Sequence, residues 1–369
     1  MSDNKSLFPV FKNGKYGFID NTGKVRIPFC FDEAHFGFNE GLSPVKIGGI
    51  LPKHKRILSC FFDFHICFKR KGGKWAFIDQ TKKMVIAPQF DDASSFGEGL
   101  AGVKVGDKWG FINKSGKIII PPNFEDANAF HNNMAAVKIN NKWGYINKAG
   151  QMVIPPIFPY TEDFEENLAN VVCQDDPIKT SINAVINTTG KILAASDGIN
   201  TLDIGDCSEG LCAVASTQNK KYGYLDSTGK MVIEPIFTTA HTFSEGLAAV
   251  CINYKYGYIN KTGQFTIQPQ FEDAGNFKEG LAPVRINNKW GFINKNGTII
   301  ITPQFKNKPD DFSNGLACLQ NENNYKFGFI DKTGKMVIDF IFDHDLTFHN
   351  GLAKQSGVDY LYYINKQGQ

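Results

Sequence analysis

Lys108-Trp109-Gly110-Phe111-Ile112-Asn113-Lys114-Ser115-Gly116-Lys117-Ile118-Ile119-Ile120-Pro121-Pro122 is the stretch that decides the fold. A short apolar run stands on each side of a Lys-x-Gly turn. A third run, Leu100-Ala101-Gly102-Val103-Lys104-Val105, leads into it through Gly106-Asp107. Short apolar runs joined by Gly, Asn or Asp pairs read as tight β-hairpins, because those residues tolerate the positive φ that the turns require. The strand over 117–120 is read as ending at Pro121-Pro122, since proline cannot donate to a ladder. The segment from Phe124 to Phe130 then crosses to the next unit and is read as a helical turn pinned by its two phenylalanines.

The same pattern recurs along the whole chain. The aromatic before glycine, or its equivalent, stands at 16, 75, 109, 143, 222, 256, 290 and 327, and the steps 75–109–143 and 222–256–290 are all 34 residues. Two worn copies lie at Asn183-Ala184-Val185-Ile186-Asn187 and Leu361-Tyr362-Tyr363-Ile364-Asn365, giving ten units with the first and last partial. A fixed period of this length marks a repeat architecture in which each unit buries its apolar face on a neighbour. Sustained 3.6-residue periodicity is missing, so the expectation is an all-β protein.

Composition agrees. The chain has 369 residues, 42% of them hydrophobic, with 32 Phe and 36 Gly, as many short strands with tight turns require. Net charge is +3 with acidic and basic residues interleaved, which argues against nucleic acid as a partner. No apolar run reaches the length of a membrane span, and the first residues carry no signal-like apolar segment. The expectation is a cytoplasmic protein, or one exported by a route that reads no N-terminal signal, as a host-cell effector would be. The eight cysteines are irregularly spaced and read as free thiols in a reducing compartment.

The unit Lys-Trp-Gly-Phe-Ile-Asn/Asp-x-x-Gly-Lys-x-Val-Ile-x-Pro-x-Phe, closed by Phe-x-Glu-Gly-Leu-Ala-x-Val, resembles the WG (KWG) repeat family, a largely bacterial family of tandem repeats. Residues 74–104 follow the pattern almost in full, with Ala76 in place of glycine. The resemblance implies a binding or scaffolding array with no shared activity and no cofactor. Two architectures compete for such units. An open spiral or solenoid-like array of about ten β-hairpin repeats is preferred here, because a unit of three short strands is lean for a four-stranded blade. A β-propeller or closed toroid is the alternative.

Weighed one by one, the repeated features read as structure. Trp75, Trp109, Trp143 and Trp290 could stack on sugars, but Tyr and Phe replace them elsewhere, as a packing role permits. The lysines before the aromatics could form a cationic row, or simply stay solvated and discourage edge pairing. Carboxylates recur at one register (Asp91, Asp92, Glu125, Asp126, Glu272, Asp273), as loop caps would. The Gly-Lys dipeptides lack the spacing of a phosphate loop, and no catalytic motif is present. His54, Cys60, His65 and Cys67 match no familiar zinc spacing, so no metal site is assigned.

Departures from the repeat are the better place to look for recognition. The largest is an insertion of about residues 50–67 inside a hairpin turn, between Gly48-Gly49 and Gly72-Gly73. It is basic at Lys53, His54, Lys55 and Arg56 and apolar at Phe61, Phe62 and Phe64, which suits a partner-binding arm; an arm folded back over the array is the competing reading. Residues 159–210 hold steps of 40 and 39, either a bend in the array or two longer loops, and the insertion near 307–310 reads as a loop. The whole chain, 1–369, is taken as one array. The expected function is a non-enzymatic scaffold for a protein partner. Polysaccharide or cell-wall binding is the alternative, and an enzyme hidden in the irregular middle is the third reading.

Overall fold

The computed structural model describes residues 6–34, 36–49, 72–176, 179–195, 204–216, 219–356, 361–366 and 368. Strands fill ten antiparallel sheets, or blades, six of four strands and four of three, and no helix occurs among the described residues. Blade 8 shows the pattern: Asp273–Ala274, Leu281–Ile286, Lys289–Asn294 and Ile299–Phe305 lie side by side in sequence order.

Two sequence expectations are corrected inside the blade. The crossing segment is not helical, because its Asp-Ala pair forms the short first strand of the next sheet; Asp126 pairs Lys138 and Ala127 pairs Val137. Nor does pairing end at the prolines. Ile118–Phe124 runs through Pro121-Pro122 as an outer strand, pairing Ile120 with Phe111 and then, beyond a bulge, Phe124 with Trp109. Proline is tolerated there because the bulged residues need not donate to the neighbouring strand.

Each third strand is buried on both faces, and alternation sends its side chains to two cores. Trp75 and Phe77 of blade 2 join Ala93, Phe96, Ala101, Val103 and Ile112 of blade 3. Ala76 and Ile78, between them in sequence, face back to Phe18, Ile27 and Phe31 of blade 1. Blades 7 and 8 repeat this with Tyr258 packed among Phe277, Ala282, Val284 and Ile293.

The chain divides into two compact units. The first takes in residues 1–141, 145–152 and 350–369; the second takes in 142–144 and 153–349. Within the first unit the tenth blade lies beside the first. The Phe8 and Tyr363 rings are 5.5 Å apart, and a Cβ added at Gly351 would sit 3.7 Å from Asn21 Cβ. The first and last blades are therefore in contact within this unit, so the two ends are not free as the expected open spiral would leave them. The 159–210 stretch holds strands of blades 5 and 6, among them Leu168–Asp176, Lys179–Asn187 and Ile204–Ser208.

Candidate functional site

The repeated side chains are engaged in joining blade to blade. The residue after each Trp-Gly position, rather than the Trp, forms the joint. Its ring meets the phenylalanine two residues before the positive-φ turn pair (Glu-Gly, Asn-Gly or Asn-Asn) of the next blade at centroid distances of 4.8–5.1 Å in seven junctions, as in Phe77–Phe96, Phe111–Phe130 and Tyr258–Phe277. Where that residue is tyrosine its hydroxyl is also used: Tyr258 donates to the Gly275 carbonyl at 2.9 Å and Tyr224 to that of His241 at 2.7 Å. Burial raises both phenols well above their ordinary range. Trp75 and Trp290 are buried, and Trp109 and Trp143 half-buried, so none presents an open face for sugar stacking.

A polar clip lies beside the aromatic joint. The Glu-Gly turns place glutamate and glycine both at positive φ (Glu245 54°, Gly246 85°), the geometry of a type I′ hairpin turn. Glu245 accepts from the Gly280 N–H of the next blade at 3.1 Å and pairs with Lys295 at 3.1 Å, while Lys295 also donates to the Glu245 carbonyl at 2.9 Å. Glu40, Glu98, Glu209 and Glu279 pair likewise with Lys114, Lys148, Lys261 and Lys332, and each accepts from a turn N–H of the next blade, that of Asn133 at Glu98 and a glycine at the others.

The carboxylates at the Asp-Asp register act as loop caps, as their recurrence implied. Glu272 accepts from Asn287 and Asn288 N–H at 3.0 and 2.9 Å, and Glu125 from Asn140 and Asn141 at the same distances. Three of the lysines before the aromatics are held in ion pairs. Lys15 pairs with Asp32 and Lys74 with Asp91, both at 2.5 Å, and Lys326 with Asp343.

The sequence-derived arm residues Lys53, His54, Lys55, Arg56, Phe61, Phe62 and Phe64 lie outside the described residues, as do Cys60, His65 and Cys67. The base of the insertion is described. Ile47 pairs with Lys74, Gly48 and Gly73 adopt φ of 86° and 81°, and Asp32 accepts from the Gly49 N–H at 2.7 Å. A Cβ at Gly73 would come within 2.8 Å of the Gly49 nitrogen, so glycine there lets the two chains leave the blade in close contact.

Sequence reasoning missed a second irregular surface, on the first-strand segments of blades 7 to 10. It gathers His241, Thr242, Asp273, Asn276, Lys308, Asp310, Asp311 and Asp345. Asn276 donates to Thr242 Oγ1 at 3.3 Å, and the Lys308 ammonium lies 5.4 Å from the centre of the Trp290 ring. Burial and then the Lys308 charge lower the His241 pKa, with Asp273 and Asn276 opposing, so the imidazole is neutral at pH 7. Asp310 and Asp311 reach solvent, yet crowding by protein raises both, helped at Asp310 by Asp345 and Asp311. Cys318 beneath them is pushed up to about 12, chiefly by burial. The signal in the sequence was the 307–310 insertion, read there as a loop alone. Chemically the surface offers carboxylates, one ammonium and a neutral imidazole for polar recognition. Among the described residues no group of three or more His, Cys, Asp or Glu is placed to hold a metal ion.

One expectation about the cysteines is corrected. Cys207 and Cys212 are joined by a disulfide, because they stand opposite each other across the Ile204–Ser208 and Leu211–Ala215 strands with Cα atoms 4.2 Å apart. Cys30, Cys173, Cys251 and Cys318 are free, the last two buried.

Ten blades built from one repeating unit, joined by aromatic pairs and Glu-Lys clips, define an all-β repeat protein. The family described as "WG containing repeat" matches at residues 16–49, 75–109, 109–143, 143–175, 222–256, 256–290, 290–325 and 327–354, and the chain belongs to that family. The unmatched copies at 183 and 361 are those that lack the aromatic at the Trp position. No curated protein matches the sequence. Among solved structures the chain is similar to a eukaryotic initiation factor (10% identity, 90% of this chain and 95% of that one, TM-score 0.46). It is also similar to AztD of Citrobacter koseri (12%, 92% and 95%, TM-score 0.35) and to BamB of Moraxella catarrhalis (11%, 67% and 88%, TM-score 0.30). Likenesses at these scores carry no argument about function.

Proposed function

We propose that this chain is a non-enzymatic scaffold that binds a protein partner through its departures from the repeat. The observation that supports this is the engagement of the repeated residues: aromatics, glutamates and lysines at the regular positions are occupied in holding blades together. What remains for recognition is the 50–67 insertion, carried on the paired base at Ile47 and Lys74, and the polar first-strand surface of blades 7 to 10. The insertion is the leading element, because its sequence combines basic and apolar side chains, the composition of many contact surfaces.

The test compares the full chain with a variant in which residues 50–67 are removed and Gly48-Gly49 is joined to Gly72-Gly73. Both are used as bait in a cross-linking pull-down, with thermal melts to confirm that both fold. Loss of a specific partner with an unchanged melt supports the reading. An unchanged partner set removes the insertion from consideration, and turnover of any tested ester, phosphate or glycoside would overturn the non-enzymatic assignment.

A further inference from the structure

The junction between blades 5 and 6 departs from the others at both of its aromatic positions. By alignment with the other repeats, Val185 occupies the site of Phe111 or Tyr258, and Cys207 the site of Phe130 or Phe277. The residue opposite that phenylalanine on the second strand is alanine in most other blades, as in the Phe96–Ala101 pair, and here it is Cys212. A Phe-Ala pair of the core has thus been exchanged for Cys-Cys at the one place where the phenylalanine has no ring to pack on. The surrounding cluster is aliphatic: Val185 and Leu168 from blade 5, Cys212, Val214 and Leu225 from blade 6, with Leu193 and Cys207 at its edge. Aliphatic side chains take the place of the aromatic joint here, and the disulfide fixes the first strand of blade 6 to its second.

We propose that the Cys207–Cys212 disulfide makes the blade 5–6 junction a thiol-responsive seam, tight when oxidised and loosened when reduced. Cys207 is half-buried and Cys212 buried, so the accessible sulfur is Cys207 Sγ. A dithiol reductant attacks there as a thiolate. The Sγ–Sγ bond breaks, a mixed disulfide forms on Cys207, and the Cys212 sulfur leaves and takes up a proton. The second thiol of the reductant then closes its own disulfide and releases Cys207, so two electrons and two protons have passed to the protein. Reduced, blade 6 keeps two small thiols where the seven ring-paired joints have a phenylalanine, and its two-residue Glu209-Gly210 turn loses its covalent tie. Because the bridge closes only a short loop, the open-to-closed ratio should rise by at most roughly 40-fold on reduction.

The test is hydrogen exchange by mass spectrometry on the full chain, oxidised and then reduced with dithiothreitol. Peptides covering 182–195 and 204–215 should exchange about tenfold or more faster after reduction, while those of blades 7 and 8 are unchanged. Differential alkylation with peptide mapping should show Cys207 and Cys212 blocked together before reduction. The C207F/C212A variant restores the repeat's own pair and should exchange slowly with or without dithiol; C207A/C212A should behave as the reduced protein in both conditions. Equal exchange in oxidised and reduced wild-type protein would overturn the proposal, as would free alkylation of both cysteines without reductant.

Discussion

Gly291→Ala probes the feature that gives the repeat its Trp-Gly signature. A Cβ built at Gly291 would lie 2.4 Å from the Ile301 carbonyl oxygen, 2.7 Å from the Pro303 nitrogen and 2.9 Å from the Pro303 Cα. All three are backbone atoms of the bulged outer strand, so no side chain can swing aside and the strand itself must move. Its bulge is fixed by the pairs Trp290–Phe305 and Phe292–Ile301 on either side, which anchor two buried or half-buried side chains of the core. Overpacking of this kind costs about 1–3 kcal/mol. Ala76 shows that a methyl can be built in when the facing strand has been fitted to it, since it is fully buried in the same register. The reverse change, Ala76→Gly, should therefore cost only about 1 kcal/mol, from backbone freedom and a lost methyl contact. Urea unfolding followed by tryptophan fluorescence measures both, with Trp290 as a buried reporter next to the perturbation. A Gly291→Ala protein with an unshifted midpoint would refute the claim that glycine is required by the approach of the outer strand.

Three further outcomes follow from the joints. Phe277→Ala removes the fully buried ring that packs on Tyr258 and should cost about 3–5 kcal/mol by the same assay. Trp109→Tyr should cost less than about 1.5 kcal/mol, because Tyr222 and Tyr256 hold the equivalent half-buried place in other blades; a loss as large as that of Phe277→Ala would make the Trp, not the next residue, the joint. The clip glutamates predict acid sensitivity. Burial opposes ionisation at Glu98, Glu209, Glu245 and Glu279, yet the lysine and backbone N–H partners together hold each carboxyl below its usual range; at Glu40 the Lys114 hydrogen bond is the largest cause. Groups depressed in the folded state contribute stability that is complete above the unfolded pKa of about 4.3 and is lost as pH falls through the folded values. Urea midpoints at pH 7 and pH 3.5 should differ, and the difference should shrink in a variant with Glu245 and Glu279 both changed to Gln.

Much of the blade was legible because its turns are written in residues with one physical use. Asn13-Gly14, Asn140-Asn141 and Asn287-Asn288 all adopt the positive φ expected of them, as do Gly23, Gly116 and Gly334 in the second turn. The first strand of each blade was not legible, since a ladder of two residues such as Asp126–Ala127 leaves no alternation to detect. The continuation past Pro121-Pro122 was hidden for a different reason: proline rules out an inner strand but is silent about a bulged outer one. The choice between Trp109 and Phe111 as the joint was hidden as well. The two point to the same face, and only the neighbouring blade decides which ring is enclosed.

The candidate sites divide along the same line. Residues that recur, such as Glu125 and Glu272, were correctly read as structure because a structural need repeats with the unit. The polar surface of blades 7 to 10 escaped because members of it, Thr242, Asn276 and Asp311, occupy one repeat position with a different side chain in each of blades 7, 8 and 9. That position lies next to the phenylalanine of the joint, where packing fixes the backbone but leaves the side chain free to vary. A repeat that fixes the scaffold and frees one position per blade can change its ligand without changing its fold. The disulfide belongs to this logic too. Cys207 and Cys212 replace a joint rather than adding to one, so the junction that lacks the aromatic pair is also the one that a change in thiol balance can reach.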